Sequence, residues 1–150
     1  MNEVFPEIRA MEQMIAEARD LPPAPAAIVG AGAEHVLHAA IAADQAGLID
    51  PVLFGRSDRI IPLMEEFGVS YPVVDLPTPE ATARAAVEAV LDERVRLLVK
   101  GDIHSDVFLR PIIRRLRREP RISHVFLAEL PSYHKPVSYT HQTLPTKRIV

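Results

Sequence analysis

The chain repeats one local pattern: a short apolar run, a turn carrying glycine, proline or polar residues, and then a helical period of ten or more residues. Runs at 26–29, 51–55, 69–76, 96–100 and 123–130 read as strands, and the stretches 34–46, 57–67, 78–93 and 105–119 between them read as helices. Strands separated by helices cannot pair as tight hairpins, because each crossover carries the chain back to the same end of the sheet before the next strand begins. The pattern therefore predicts an α/β fold: a mainly parallel sheet with helices on both faces. An amphipathic helix over 6–21, with Ile8, Met11, Ile15 and Ala18 at helical spacing, precedes it and is stopped by Leu21-Pro22-Pro23-Ala24-Pro25. Ser57, Thr78 and Ser105 are the expected helix caps, with Pro79 at a first helical position, Glu80 near the positive end of that dipole, and Pro62 disturbing its helix's first turn.

Composition removes several classes of function. A 150-residue chain that is 48% hydrophobic and 25% charged can bury a core and is no disordered tail. The formal charge of −3 gives no overall pull towards nucleic acid. No Cys is present, so disulfides, thiolate nucleophiles and zinc-thiolate sites are excluded, and the six scattered His show no ligand spacing. No apolar run approaches the roughly 20 residues that a membrane helix needs. Residues 1–7 lack the basic end and apolar stretch of a signal peptide. No metal, nucleic-acid partner or membrane partner is expected, and a cytoplasmic location is.

Polar residues cluster where an α/β sheet builds its sites, at the carboxyl ends of strands. In Lys100-Gly101-Asp102-Ile103-His104-Ser105, Lys100 offers a point charge for a phosphate, and Gly101 would let a ligand approach the backbone. His104 can exchange protons near neutral pH, and Ser105 would open a helix whose amides favour anions; a capped turn with solvated polar residues is the plainer alternative. Gly30-Ala31-Gly32 lacks the third glycine of a dinucleotide fingerprint, since His35 stands there, and reads as a strand-to-helix turn. On the last strand Ser123 and His124 face opposite ways, and His124 shares its face with Phe126, Ala128 and Leu130, which favours a hydrogen-bonded core histidine over a catalytic one. Arg110, Arg114, Arg115, Arg117, Arg118 and Arg121 form a basic run, read as a solvated outer face, or else as an attraction for a polyanionic cofactor or a partner subunit.

Three blocks resemble a known family: Gly47-Leu48-Ile49-Asp50-Pro51-Val52-Leu53-Phe54-Gly55, Val99 to Ser105, and Ile122-Ser123-His124-Val125-Phe126 with Pro131 and Tyr133. In order and spacing they are similar to the phosphate acetyl/butyryltransferases, most of all to the acyltransferase part of bifunctional proteins that also carry an enoyl-CoA hydratase domain. The resemblance spans about residues 26–136. It implies a partial isocitrate/isopropylmalate dehydrogenase-like lobe, acyl transfer between coenzyme A and inorganic phosphate in a cleft between two lobes, no permanently bound cofactor, acyl-CoA and phosphate as substrates, and homo-oligomers. Within this part it points to Lys100 as an anion contact, Gly101, His104 and Ser123 as site lining, and His124 as support. Ser105 stands where the family usually has Thr, and Arg117-Arg118-Glu119-Pro120-Arg121 replaces a glycine-containing loop. The family's Ser, Arg and Asp for phosphate and thiol lie in a second half that does not follow Lys135. The expected organisation is an N-terminal helix and Pro-rich linker at 1–25, a partial acyltransferase domain at 26–136, inactive alone, and a tail at 137–150.

That tail, beginning Val137-Ser138-Tyr139-Thr140-His141, is expected to follow neither a strand nor a helix period. Save for Gln142 it resembles one translated frame of a transposon-type sequencing adapter, and a non-native segment is expected there. The rival reading of the whole chain is a stand-alone α/β ligand-binding or regulatory module.

Overall fold

The computed structural model describes residues 10–116, 125–128 and 137–140. The chain divides into two compact units, residues 21–118 on one hand and residues 1–20 with 119–150 on the other.

The larger unit runs β1 (Ala24–Val29), α2 (Glu34–Gln45), β2 (Ile49–Gly55), α3 (Ser57–Phe67), β3 (Val73–Asp75), α4 (Pro79–Leu91), β4 (Leu97–Lys100) and α5 (Ser105–Arg115), after α1 (Met11–Arg19) of the other unit. All four strands are parallel, in the order β3-β2-β1-β4. Side chains alternate across β1, and the two cores follow from that alternation. Ala26 and Ile28 pack with Leu37, Ala40, Ile60 and Met64 of α2 and α3, whereas Ala27 and Val29 pack with Phe54 and with Ala83, Ala86 and Ala89 of α4. Helices therefore cover both faces of a parallel sheet, as the alternating pattern predicts. Phe54, Leu37 and Ile60 are fully buried, each contributing about 1.5–3 kcal/mol of burial.

Several boundaries differ from the sequence expectations, each for a local reason. β1 begins at Ala24, inside the run expected to be only a stop. Pro25 is tolerated there because β4 pairs with β1 only from Ala26 onward. β3 is three residues long, not eight. Gly68 ends α3 in the left-handed conformation, and Tyr71, whose hydroxyl donates to Asp44 Oδ2 at 2.8 Å, ties down the connection before Pro72. Burial, and then the Asp44 carboxylate, push the Tyr71 phenol up to about 12. α3 continues through Pro62, which withholds one amide from the helix ladder without ending it.

Two of the three expected caps fail. Thr78 does cap α4, its Oγ1 accepting from Ala81 N at 3.2 Å. Ser57 and Ser105 are instead the first helical residues, behind Arg56 and His104, neither of which makes a side-chain cap. For α3 the acceptor comes from elsewhere: Asp75 Oδ1, at the end of β3, takes the Ser57 amide at 2.8 Å.

The smaller unit contains a second departure. The predicted fifth strand survives as β5 (Val125–Ala128), but it pairs antiparallel with β6 (Val137–Thr140) in a separate two-stranded sheet. The expectation that the tail has no strand period is thus corrected for its first four residues. Val137 and Tyr139 alternate with Ser138 and Thr140, which is a period of two in strand-forming residues.

The Asp75 cap makes a pH prediction. The Ser57 backbone amide, then its hydroxyl, hold the Asp75 carboxyl below its ordinary value. A depressed carboxylate stabilises the fold above the unfolded value of about 3.9, and that contribution fades as pH falls through the lower native value. Asp75→Asn should melt below wild type at neutral pH, with the difference shrinking as pH falls below about 3.9. Thermal melts across that acid range check this, and a constant difference would count against the cap.

Candidate functional site

In an open parallel sheet the natural site lies beyond the carboxyl ends of the strands, where successive connections diverge. Here that point falls between β1 and β4, because the chain passes from β1 to β2 and β3 on one side and then crosses to β4 on the other. Backbone fills it. Gly101 N donates to Val29 O at 2.8 Å and Asp102 N to Gly30 O at 2.9 Å, while Gly30 N and Ala31 N both donate to Phe54 O. A Cβ on Gly101 would stand 2.5 Å from Gly30 O and 2.9 Å from Val36 Cγ1; one on Gly30, at φ +84°, would stand 2.7 Å from Asp102 O. Both glycines thus serve the approach of one strand end to another.

The opening is displaced towards β2 and β3. A cavity of about 120 Å³ is lined by Gly30, Gly32, Gly55, Arg56, Arg59, Thr78, Thr82, Asp102 and Ile103, among others. Ligand pockets for drug-sized molecules run to about 300–1,000 Å³, so this one suits a group the size of a phosphate rather than a whole coenzyme. Arg56 is engaged by Asp58, its Nε donating to Oδ1 at 3.0 Å, and that hydrogen bond raises the guanidinium and lowers the carboxyl. Arg59 has no ion pair among the described residues. Its Cβ lies against Gly32, where an added methyl would approach to 3.2 Å. The N-terminus of α4 adds a partial positive charge. Its hydroxyls are already occupied, since Thr78 Oγ1 accepts from Ala81 N and Thr82 Oγ1 donates to Thr78 O at 2.8 Å. Asp102 opposes the two arginines. The balance favours an anion facing the Arg59 guanidinium at the positive end of α4.

The residues singled out by sequence fall around this cleft rather than in it. Lys100 is exposed at the end of β4, its Nζ 3.5 Å from Gly101 O, and His104 is exposed just before α5. Neither lines the cavity, and Gly101 is packed against Gly30 and Val36 rather than open to a ligand. Ser123 and His124 lie outside the described residues. The sequence reading missed Arg56 and Arg59. Their signal was available: they follow Gly55 at the carboxyl end of β2, the same kind of edge that drew attention to Lys100.

The chain is 32% identical over 128 residues to the phosphate acetyltransferase of Rhizobium meliloti, covering 81% of this chain and 40% of that protein. It is 25% identical over 134 residues to the phosphate butyryltransferase of Clostridium acetobutylicum, covering 85% of this chain and 44% of that one. In three dimensions it matches a branched-chain phosphotransacylase of Enterococcus faecalis with a TM-score of 0.64 at 21% identity, over 78% of this chain and 42% of the other. No protein-family model matches the chain. The fold is that of the phosphotransacylases, and the chain spans about 40% of the length of the curated relatives it matches.

The two-glycine contact is open to test. Gly101→Ala forces a methyl into the Gly30 carbonyl and should destabilise the fold by about 1–3 kcal/mol or more. Urea unfolding measures it, and a loss below about 0.5 kcal/mol would show that the contact relaxes freely.

Proposed function

We propose that this homologue of the phosphate acetyl- and butyryltransferases provides one α/β lobe of a phosphate acyltransferase, catalysing acyl-CoA + phosphate ⇌ acyl phosphate + coenzyme A. Support comes from the relationship over most of the chain, and the observation that carries it into chemistry is the cation-lined cleft at the carboxyl edge of the sheet. In this transfer the acyl carbon exchanges its bond to sulfur for one to a phosphate oxygen, and the departing thiolate takes up a proton. Negative charge on phosphate must be held still while that happens, and preorganised cations and amides do so at little reorganisation cost. Arg59, with the positive end of α4, is the group in this lobe best placed to hold it. Lys100 and His104, exposed on the same edge, would extend the polar surface that coenzyme A crosses. The general base for the thiol belongs to the remainder of the enzyme, as does assembly into homo-oligomers.

The experiment has two parts. In a titration of the full chain with inorganic phosphate, Arg59→Gln should weaken binding about tenfold, the scale of one charge-assisted hydrogen bond. In a coupled assay with acetyl-CoA or butyryl-CoA and phosphate, the chain alone should form no acyl phosphate above the uncatalysed level. Unchanged affinity in the variant would remove Arg59 from the reading, and turnover by the chain alone would overturn the one-lobe assignment.

A further inference from the structure

The basic run of α5 does not simply face solvent. Arg110, Arg114 and Arg115 turn towards Arg84 of α4, and together they line a groove of about 490 Å³ between the two helices. Its apolar lining is the half-buried Val107 and Pro111, with Val87 fully buried beneath them. Four guanidinium groups meet there with only two carboxylates, Glu80 and Glu88. Glu88 is taken by Arg115 at 2.8 Å, and Arg110 reaches Asp106 at 3.5 Å along its own helix. Arg84 and Arg114 have no ion-pair partner among the described residues. Arg84 and Arg114, both exposed and both lining the groove, leave it with more guanidinium groups than its carboxylates can match. The planar fork of arginine matches phosphate oxygens two at a time, and the groove has the volume of a small-molecule site rather than of a single ion.

We infer that the α4–α5 groove is a second site, separate from the carboxyl-edge cleft, and that it takes an organic phosphate: a ligand whose phosphate groups sit between Arg84 and Arg114 and whose apolar body covers Val107 and Pro111. Free polyphosphate shares the charge but not the body, and an acidic peptide shares neither the phosphate geometry nor the compact size.

Calorimetric titration of the full chain at low ionic strength, with adenosine triphosphate and with inorganic tripolyphosphate as probes, separates these. Wild type and Arg59→Gln should bind adenosine triphosphate alike, Arg84→Gln/Arg114→Gln should bind it at least about tenfold more weakly, and tripolyphosphate should bind less tightly than the nucleotide. Arg84→Lys/Arg114→Lys, which keeps charge but loses the fork, should fall between. All four arginines are exposed, and a circular-dichroism melt confirms that the variants fold. The inference is overturned if neither probe binds, if the double glutamine variant binds as wild type does, or if Arg59→Gln abolishes binding, which would put the anion in the other cleft. Equal affinity for the two probes would overturn the role of the apolar lining. A glutamate-rich peptide that binds when neither phosphate does would make the groove a protein surface and overturn the site.

Discussion

The approach of two backbone turns, Gly30 after β1 and Gly101 after β4, is the constraint on which the rest of this lobe depends. Four hydrogen bonds stitch the ends of β1, β2 and β4 together at that point, from Gly30, Ala31, Gly101 and Asp102. Side chains at either glycine would separate the strands. Because the turns meet, the crevice between β1 and β4 is closed by backbone, and the open part of the carboxyl edge lies over β2 and β3. The chemistry of the edge is therefore decided by the four residues after Gly55, namely Arg56-Ser57-Asp58-Arg59.

That tetrapeptide carries a division of labour. Asp58 holds Arg56, and Asp75 takes the first amide of α3, so three of the charged groups at this corner are engaged in holding the corner itself. Arg59 is left to face the cleft. A site of this kind costs stability unless its cations have other business, since a guanidinium near a helix N-terminus is on the wrong side of the dipole. The acidic partners meet that cost locally, and the positive field remains directed at the cavity. Across the sheet, the α4–α5 groove shows the opposite balance, with more guanidinium groups than the local carboxylates can match.

Much of this fold was legible because it rests on periodicity. The alternation of apolar runs and helical stretches is enough for a parallel sheet with two covered faces, and Thr78-Pro79-Glu80 marks the start of α4 without ambiguity. What was not legible is what depends on partners distant in sequence. Ser57 looks like a cap, yet the cap is Asp75, eighteen positions away. Gly101 looks like room for a ligand, yet the space is taken by Gly30 and Val36, and no local pattern in 96–105 announces them. Val125–Ala128 has the composition of another sheet strand, but pairing is a property of two strands, and its partner is Val137–Thr140. The site residues suffered likewise: Lys100 and His104 do lie on the carboxyl edge, while the cavity on that edge opens beside Arg56 and Arg59, whose sequence context is an ordinary helix start.

Phosphate held at the carboxyl edge, beside Arg59 and the start of α4, is what the proposed function requires. Amide chemical-shift mapping of the full chain during titration with inorganic phosphate tests it most directly. The largest shifts should fall on Gly30, Gly32, Gly55, Arg59 and the first turn of α4, saturating together along one isotherm. Shifts spread over exposed arginines without saturation, or a saturating set centred on Arg84 and Arg114 with the carboxyl edge silent, would contradict it.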